Sequence, residues 1–397
     1  MTHSNLSTSS SEAGTEVPKS LRRFWLKLFL VTLPFSAVFG FSLLILGMSG
    51  ELTSVDRVVE IQTKNSAPVL FGFAYSDPDL YYKMKSVLRR KPEFLVLGTS
   101  RVLQIRSAFF KTRGFYNGGR SIAKVSHLRR FLAHIPAGRE PRVILLGLDQ
   151  DFFNTAWDRQ VAADDIEQRY RQIDSGFKVI NNNWFRVPKD YAKMKFSIGG
   201  VMKRGSEMKR IGLNAIARNL GYRNDGSQLN GKFINGTADP KNPDYQFQSA
   251  FDSITEGTNR FEFGDEASSD ILRELDLFLS ECKARNIYVA GFLNPYPHAV
   301  WEKLKTTNRH RYLFQLDEKL KPLFDRQGYS FADFSDLAGL GGTDQETLDG
   351  LHASERAYLR LVIQMVEKDP HLGPYADLNK LKNLLISSEN DFNVLPD

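Results

Sequence analysis

Residues Leu28 to Met48 run for twenty-one positions without a charge, and this run restricts the chain more than any other feature. At about 1.5 Å per helical residue it would extend about 31 Å, close to the roughly 30 Å of a bilayer's hydrocarbon layer. Pro34 and Gly40 are tolerable in such a span. It is apolar on every face, unlike the one-sided helix of a soluble surface. Lys19, Arg22, Arg23 and Lys27 precede it, whereas Glu51, Asp56 and Glu60 follow with only Arg57 to balance them. The positive-inside rule then puts the N-terminus in the cytoplasm and everything after Met48 outside. Trp25 and Lys27 suit the interface. The competing reading is a cleaved signal peptide, but its apolar core is normally about 7–15 residues and no small-x-small site follows Met48. The expectation is a single-pass protein of the inner (cytoplasmic) membrane with a periplasmic or otherwise extracytoplasmic body.

Boundaries follow from this anchor. The first twenty residues hold nine Ser or Thr and little that is apolar, so residues 1–21 are expected to be a disordered cytoplasmic tail. Residues 22–48 form the anchor, 49–77 a linker, 78–370 the folded domain and 371–397 a polar C-terminal tail. The one cysteine, Cys282, excludes an internal disulfide and a Cys-rich zinc site. The net charge of +7 is concentrated, since residues 186–223 carry ten Lys or Arg against two acids. Such a segment is either a solvated helical face or a docking surface for anionic glycan or phospholipid headgroups. Extracytoplasmic topology disfavours nucleic acid.

From Pro78 onward, short apolar runs alternate with helical periodicity. Helices are expected at Asp79 to Arg90, Arg101 to Lys111, Lys124 to Ile135, Ser269 to Arg285, Tyr312 to Gln327 and Glu355 to Val366. Strands are expected at Phe94 to Leu97, Phe115-Tyr116, Arg142 to Leu146, Ile287 to Leu293 and Tyr329 to Phe334. This alternation predicts an α/β fold of three layers, α/β/α, around a central, mostly parallel sheet. Between residues 154 and 265 the pattern is lost, which suggests a large insertion leaving one strand end. In such sheets, ligands sit at the carboxyl ends of the strands.

Three strand ends carry chemistry. In Gly98-Thr99-Ser100-Arg101, a serine sits where a helix begins, beside unpaired N–H groups and a positive dipole end. Alone, this pattern is more often a plain N-cap serine. In Asn117-Gly118-Gly119, two glycines leave backbone N–H groups accessible, as an oxyanion requires, although an ordinary turn has the same residues. In Asp349-Gly350-Leu351-His352, an acid three residues before a histidine can orient the imidazole, whose other nitrogen can take a proton from a serine.

In that order and spacing the three motifs resemble the SGNH, or GDSL-type, hydrolase superfamily. The Gly-Thr-Ser-Arg form, the anchor and the Asp-Gly-Leu-His ending look most like its membrane-anchored envelope branch, as in alginate-type O-acetyltransferases. The resemblance implies an SGNH-like fold with Ser100 as nucleophile, His352 as general base and Asp349 as its orienter. The N–H groups of Ser100 and of Gly118 or Gly119 would receive the oxyanion, with Asn117 and Arg101 beside them. The third superfamily block usually supplies an oxyanion-binding asparagine, but this chain has Asp149, which when ionised can only accept hydrogen bonds. Either another donor serves, or Asp149 is protonated, or the hole is built differently.

Asn294-Pro295-Tyr296-Pro297-His298 closes a strand, and Asn294 and His298 are expected at the rim of the same cleft. The seven histidines form no metal motif, so no metal and no cofactor are expected. The function implied is a membrane-anchored serine acyl-transfer enzyme that O-acetylates an exported or cell-envelope polysaccharide through an acyl-serine. It would be served by a membrane-bound acyl-donor partner. The alternatives are a carbohydrate or lipid esterase of the same fold and a non-catalytic glycan-binding subunit of an export or modification complex.

Overall fold

A computed structural model describes residues 19–395, apart from 66, 162–165, 172, 174, 204–208, 232–236 and 238. Most of the expected N-terminal tail, residues 1–18, lies outside the described residues. Helix α1 runs from Lys19 to Ser49 and is long and apolar enough to cross a membrane.

The remainder is a mixed α/β structure with two sheets. In chain order the strands are β1 (Val69–Phe71), β2 (Phe94–Gly98), β3 (Phe115–Gly119), β4 (Val143–Leu148), β5 (Lys209–Ile211), β6 (Leu220–Tyr222), β7 (Gln228–Asn230), β8 (Tyr288–Leu293) and β9 (Ser330–Asp333). The main sheet has the order β3-β2-β4-β8-β9, and every neighbouring pair is parallel. Period-two alternation splits its side chains between two cores. Leu95, Leu97, Ile144 and Leu146 face the helices Ser126–Ala133, Ser269–Ala284 and Leu316–Gln327. Phe94, Val96, Val143 and Leu145 face the helix Glu355–Lys368. Burial on both faces explains why these strands read as continuous apolar runs.

The chain enters the sheet at β2, moves outward to β3, then crosses back to β4 on the other side. Connections therefore diverge at the carboxyl ends of β2 and β4, and this switch point opens the crevice where ligands bind in such sheets. Gly147 of β4 keeps it tightly built: a Cβ there would collide with Val102 and crowd Phe292.

Three regions differ from expectation. The apolar spacing of residues 101–111 suggests one helix, but the chain makes two short 3-10 turns, Ser100–Gln104 and Ser107–Phe109. They tuck Val102 and Ile105 under the sheet rather than across it. Residues 49–77 are folded rather than a linker, forming the helix Val55–Lys64 and strand β1. Strand β1 joins β5, β6 and β7 from the 154–265 segment in the second sheet, of order β5-β1-β6-β7. The C-terminal residues are likewise anchored, since the helix Leu378–Ser387 packs on Glu355–Lys368 and buries Leu381.

Just beyond α1, the buried Glu51 carboxylate accepts hydrogen bonds from the N–H groups of Ala74, Tyr75 and Leu213. Burial pushes its pKa above the ordinary carboxylate value despite these donors.

Candidate functional site

Strand β2 ends at Gly98, and Thr99 caps the following turn with its Oγ1, which accepts from the N–H of Arg101 at 3.2 Å. This leaves Ser100 at the head of the turn with its side chain partly exposed. The loop 349–352 approaches from the far end of the chain. Asp349 Oδ1 accepts from the N–H groups of Leu351 at 2.8 Å and His352 at 2.7 Å, which folds Asp-x-x-His into a closed turn. The same carboxylate lies 2.9 Å from His352 Nδ1, and His352 Nε2 lies 2.9 Å from Ser100 Oγ. Two residues 252 positions apart in sequence thus meet at hydrogen-bond distance.

The electrostatics set the direction of proton flow. Burial tends to raise the Asp349 carboxyl, but the charge and hydrogen bond of His352 and the N–H groups of Leu351 and His352 outweigh it, bringing it to about 2. An ionised carboxylate only accepts, so Nδ1 carries the proton and Nε2 presents its lone pair to the Ser100 hydroxyl. Asp349 therefore stays ionised until near pH 2. A carboxyl NMR titration of the folded chain is expected to find Asp349 ionised through about pH 4, an Asp's ordinary range. Protonation in that ordinary range would show that the closed turn does not hold the carboxylate.

Sequence reasoning missed the residues that hold this loop. Asp244 Oδ2 accepts from the N–H of Gly350 at 2.7 Å, and Asn242 Nδ2 donates to the carbonyl of Leu348 at 2.8 Å. Gly350 is required at this junction, because a Cβ would collide with Ala250 and crowd Asp244 Oδ2. Both clamps come from the 154–265 segment, whose polar composition has no periodicity to single them out. Asp244→Ala should lower turnover by about 10²-fold through loss of alignment, with the imidazole still present and the unfolding temperature little changed. Steady-state kinetics with thermal unfolding of the same sample checks this.

Two cavities open beside Ser100. One, of about 370 Å³, lies between Ser100, Gln104, Arg120 and His352 and the segment residues Gln228, Asn230, Asn242 and Asp244. The other, of about 290 Å³, is lined by Asp79, Thr99, Ser100, Arg120, His127 and Arg260. Arg120 borders both. It has a left-handed backbone (φ +69°), unusual for a residue with a side chain, and its guanidinium is held by Asp79 at 2.6 Å.

Of the remaining expected site residues, Arg101 borders the larger cavity and the others fall elsewhere. Gly119 is not a free oxyanion donor, because its N–H donates to Asn117 Oδ1 at 2.8 Å. Gly118 lies within the β2–β3 ladder, paired with Leu97. Asn117 is fully buried, and its amide donates to the carbonyls of Val102 and Ile105, so it shapes the turn rather than facing a ligand. Among these N–H groups, only that of Ser100 has no protein acceptor among the described residues.

Asp149 is also absent from the cleft surface. It is completely buried, with Oδ2 accepting from Thr99 Oγ1 at 2.7 Å and Arg260 at 2.8 Å, and Oδ1 accepting from Asn294 Nδ2 at 2.6 Å. Arg101 is buried beneath it, 3.7 Å from Asp149, bonded to Gln150 and Asn294 and stacked over Tyr296. Asn294 is no rim residue, since Tyr358 Oη donates to its Oδ1 and its amide serves Asp149. Asp149 thus offers no hydrogen bond to an oxyanion in the cleft. It is the anionic hub of a buried network under the Ser100 turn.

His298 is exposed and lines neither cavity. It groups with Glu302 and Asp336 closely enough for a metal ion, with Nδ1 already 3.0 Å from Asp336. Arg101, Asn294 and Asp149 support Ser100 from below, whereas Ser100, His352 and Asp349 come together at the cleft.

This is a parallel α/β domain carrying a Ser–His–Asp constellation at its switch point. No protein-family model matches the chain, and no curated protein matches it.

Proposed function

We propose that the chain is a serine acyl-transfer enzyme of the SGNH type, anchored to the membrane by α1. The Ser100–His352–Asp349 alignment, with its two contacts of 2.9 Å, carries this reading. In the first step, His352 Nε2 takes the hydroxyl proton as Ser100 Oγ bonds to the donor's carbonyl carbon. The tetrahedral intermediate collapses, the bond to the leaving oxygen breaks, and His352 returns the proton to that oxygen. In the second step, an acceptor hydroxyl gives its proton to His352 as its oxygen bonds to the acyl carbon; the bond from that carbon to Ser100 Oγ breaks, His352 returns the proton to Oγ, and the acceptor leaves as the ester.

Negative charge on the intermediate would be met by the Ser100 N–H and by Arg120, which borders the same space. Arg120 and the N–H at position 100 replace the glycine and asparagine donors of the superfamily pattern. The two cavities sharing Ser100 and Arg120 favour transfer over hydrolysis, because transfer needs room for donor and acceptor on either side of one nucleophile. Their polar lining, with Gln104, Gln228, Asn230 and Asn242, suits a hydroxyl-rich acceptor such as a polysaccharide. Asp149 lies beneath the Ser100 turn and not at the cleft surface, so its inability to donate a hydrogen bond does not favour the non-catalytic alternative. The test is capture of the intermediate: a fluorophosphonate probe should label the full chain on the peptide bearing Ser100.

A further inference from the structure

The C-terminal part of α1 is not surrounded by lipid alone. Its Ser42, Ile45, Leu46 and Ser49 are buried against three short helices, Gly176–Asn183, Arg186–Ala192 and Ile198–Lys203. Ile45 and Leu46 pack with Val179, Val187 and Val201. Ser42 donates to the carbonyl of Trp184 at 2.6 Å, and Phe39 and Phe41 meet the rings of Trp184 and Tyr191.

Leu28 to Phe41, fourteen residues, is the uncharged part of α1 that precedes its first buried residue, Ser42. At about 1.5 Å per residue that part of α1 covers about 21 Å, against a hydrocarbon layer of roughly 30 Å. A spanning α1 therefore draws the three-helix platform about 9 Å into the outer leaflet, the depth at which interfacial helices lie.

The surface of the platform is suited to that position. Outside α1, seven of the eleven large exposed apolar side chains among the described residues fall between residues 173 and 202. They include Phe177 (79 % exposed), Met194 (89 %) and Met202 (64 %), with Phe185 and Tyr191 also exposed. Lys189 and Lys193 lie among them and form no ion pair among the described residues. Aromatic and methionine side chains beside lysines match a layer of acyl chains capped by anionic phosphates.

We infer that residues 176–203 form a second membrane-binding element, a platform seated in the outer leaflet of anionic bilayers beside α1. This rests on the anchor reading and not on the chemistry at Ser100. The test places single spin labels on the full chain in nanodiscs of phosphatidylcholine and phosphatidylglycerol, at Phe177→Cys, Met194→Cys, Met202→Cys, Val31→Cys and Ile386→Cys. Cys282 is buried and stays unlabelled, and all five positions are exposed in the fold. Val31 reports the membrane interior and Ile386 (81 % exposed) reports water. The oxygen-to-nickel-chelate accessibility ratio at 177, 194 and 202 should exceed that at 386 severalfold. Ratios equal to that at 386, with Val31 reading as lipid, overturn the platform and leave the anchor standing. A watery reading at Val31 overturns both.

Discussion

Ser100→Ala should lower the full chain's turnover of an activated acetyl ester by a factor of about 10⁴ or more, and abolish labelling by a fluorophosphonate. His352→Ala should cost about as much, and the double variant little more than either alone, because nucleophile and base act as one unit. The geometry behind this expectation is the 2.9 Å contact between Ser100 Oγ and His352 Nε2. A residual rate close to that of the unaltered chain in Ser100→Ala would end the covalent mechanism. With turnover retained in the starting protein, a glycan acceptor then separates transfer from hydrolysis, since mass spectrometry distinguishes an acylated sugar from released acid.

The second large effect is on stability. Asp149→Ala leaves the buried Arg101 without its ion-pair partner, leaves the partly exposed Arg260 with Asp151 alone, and strips acceptors from Thr99 and Asn294. Removing one partner of a buried ionic network typically costs about 3–5 kcal/mol, so the unfolding temperature should drop by many degrees while any folded fraction keeps its affinity for the fluorophosphonate. The opposite pattern, unchanged unfolding with a slower reaction, would return Asp149 to the reaction itself. Thermal unfolding and labelling kinetics on one sample decide between them.

How far the sequence discloses this molecule depends on how local each signal is. Strands β2, β4 and β8 are legible because burial on both faces makes each a continuous apolar run. Ser100 and the Asp349–His352 turn are legible because each is a short motif beside a strand or helix end. The pairing of Gly119 with Asn117 is not, since it depends on how the 102–105 turn curls beneath the sheet and brings its carbonyls to the Asn117 amide. Asn294 reads as a rim residue because it follows a strand, yet Gln150, Arg101 and Tyr358 close over that strand end. Asp244 and Asn242 carry no local mark at all. Only the folded chain brings them to the loop they hold.

Glu51 has a wider consequence. By binding three backbone N–H groups directly after α1, it couples that helix firmly to the body that carries the cleft. If α1 spans a bilayer, a nucleophile mounted this way would work at one fixed height above the lipid surface. Under the proposed function, polymers that emerge close to the membrane would come within its reach, while the same material farther out would go unmodified.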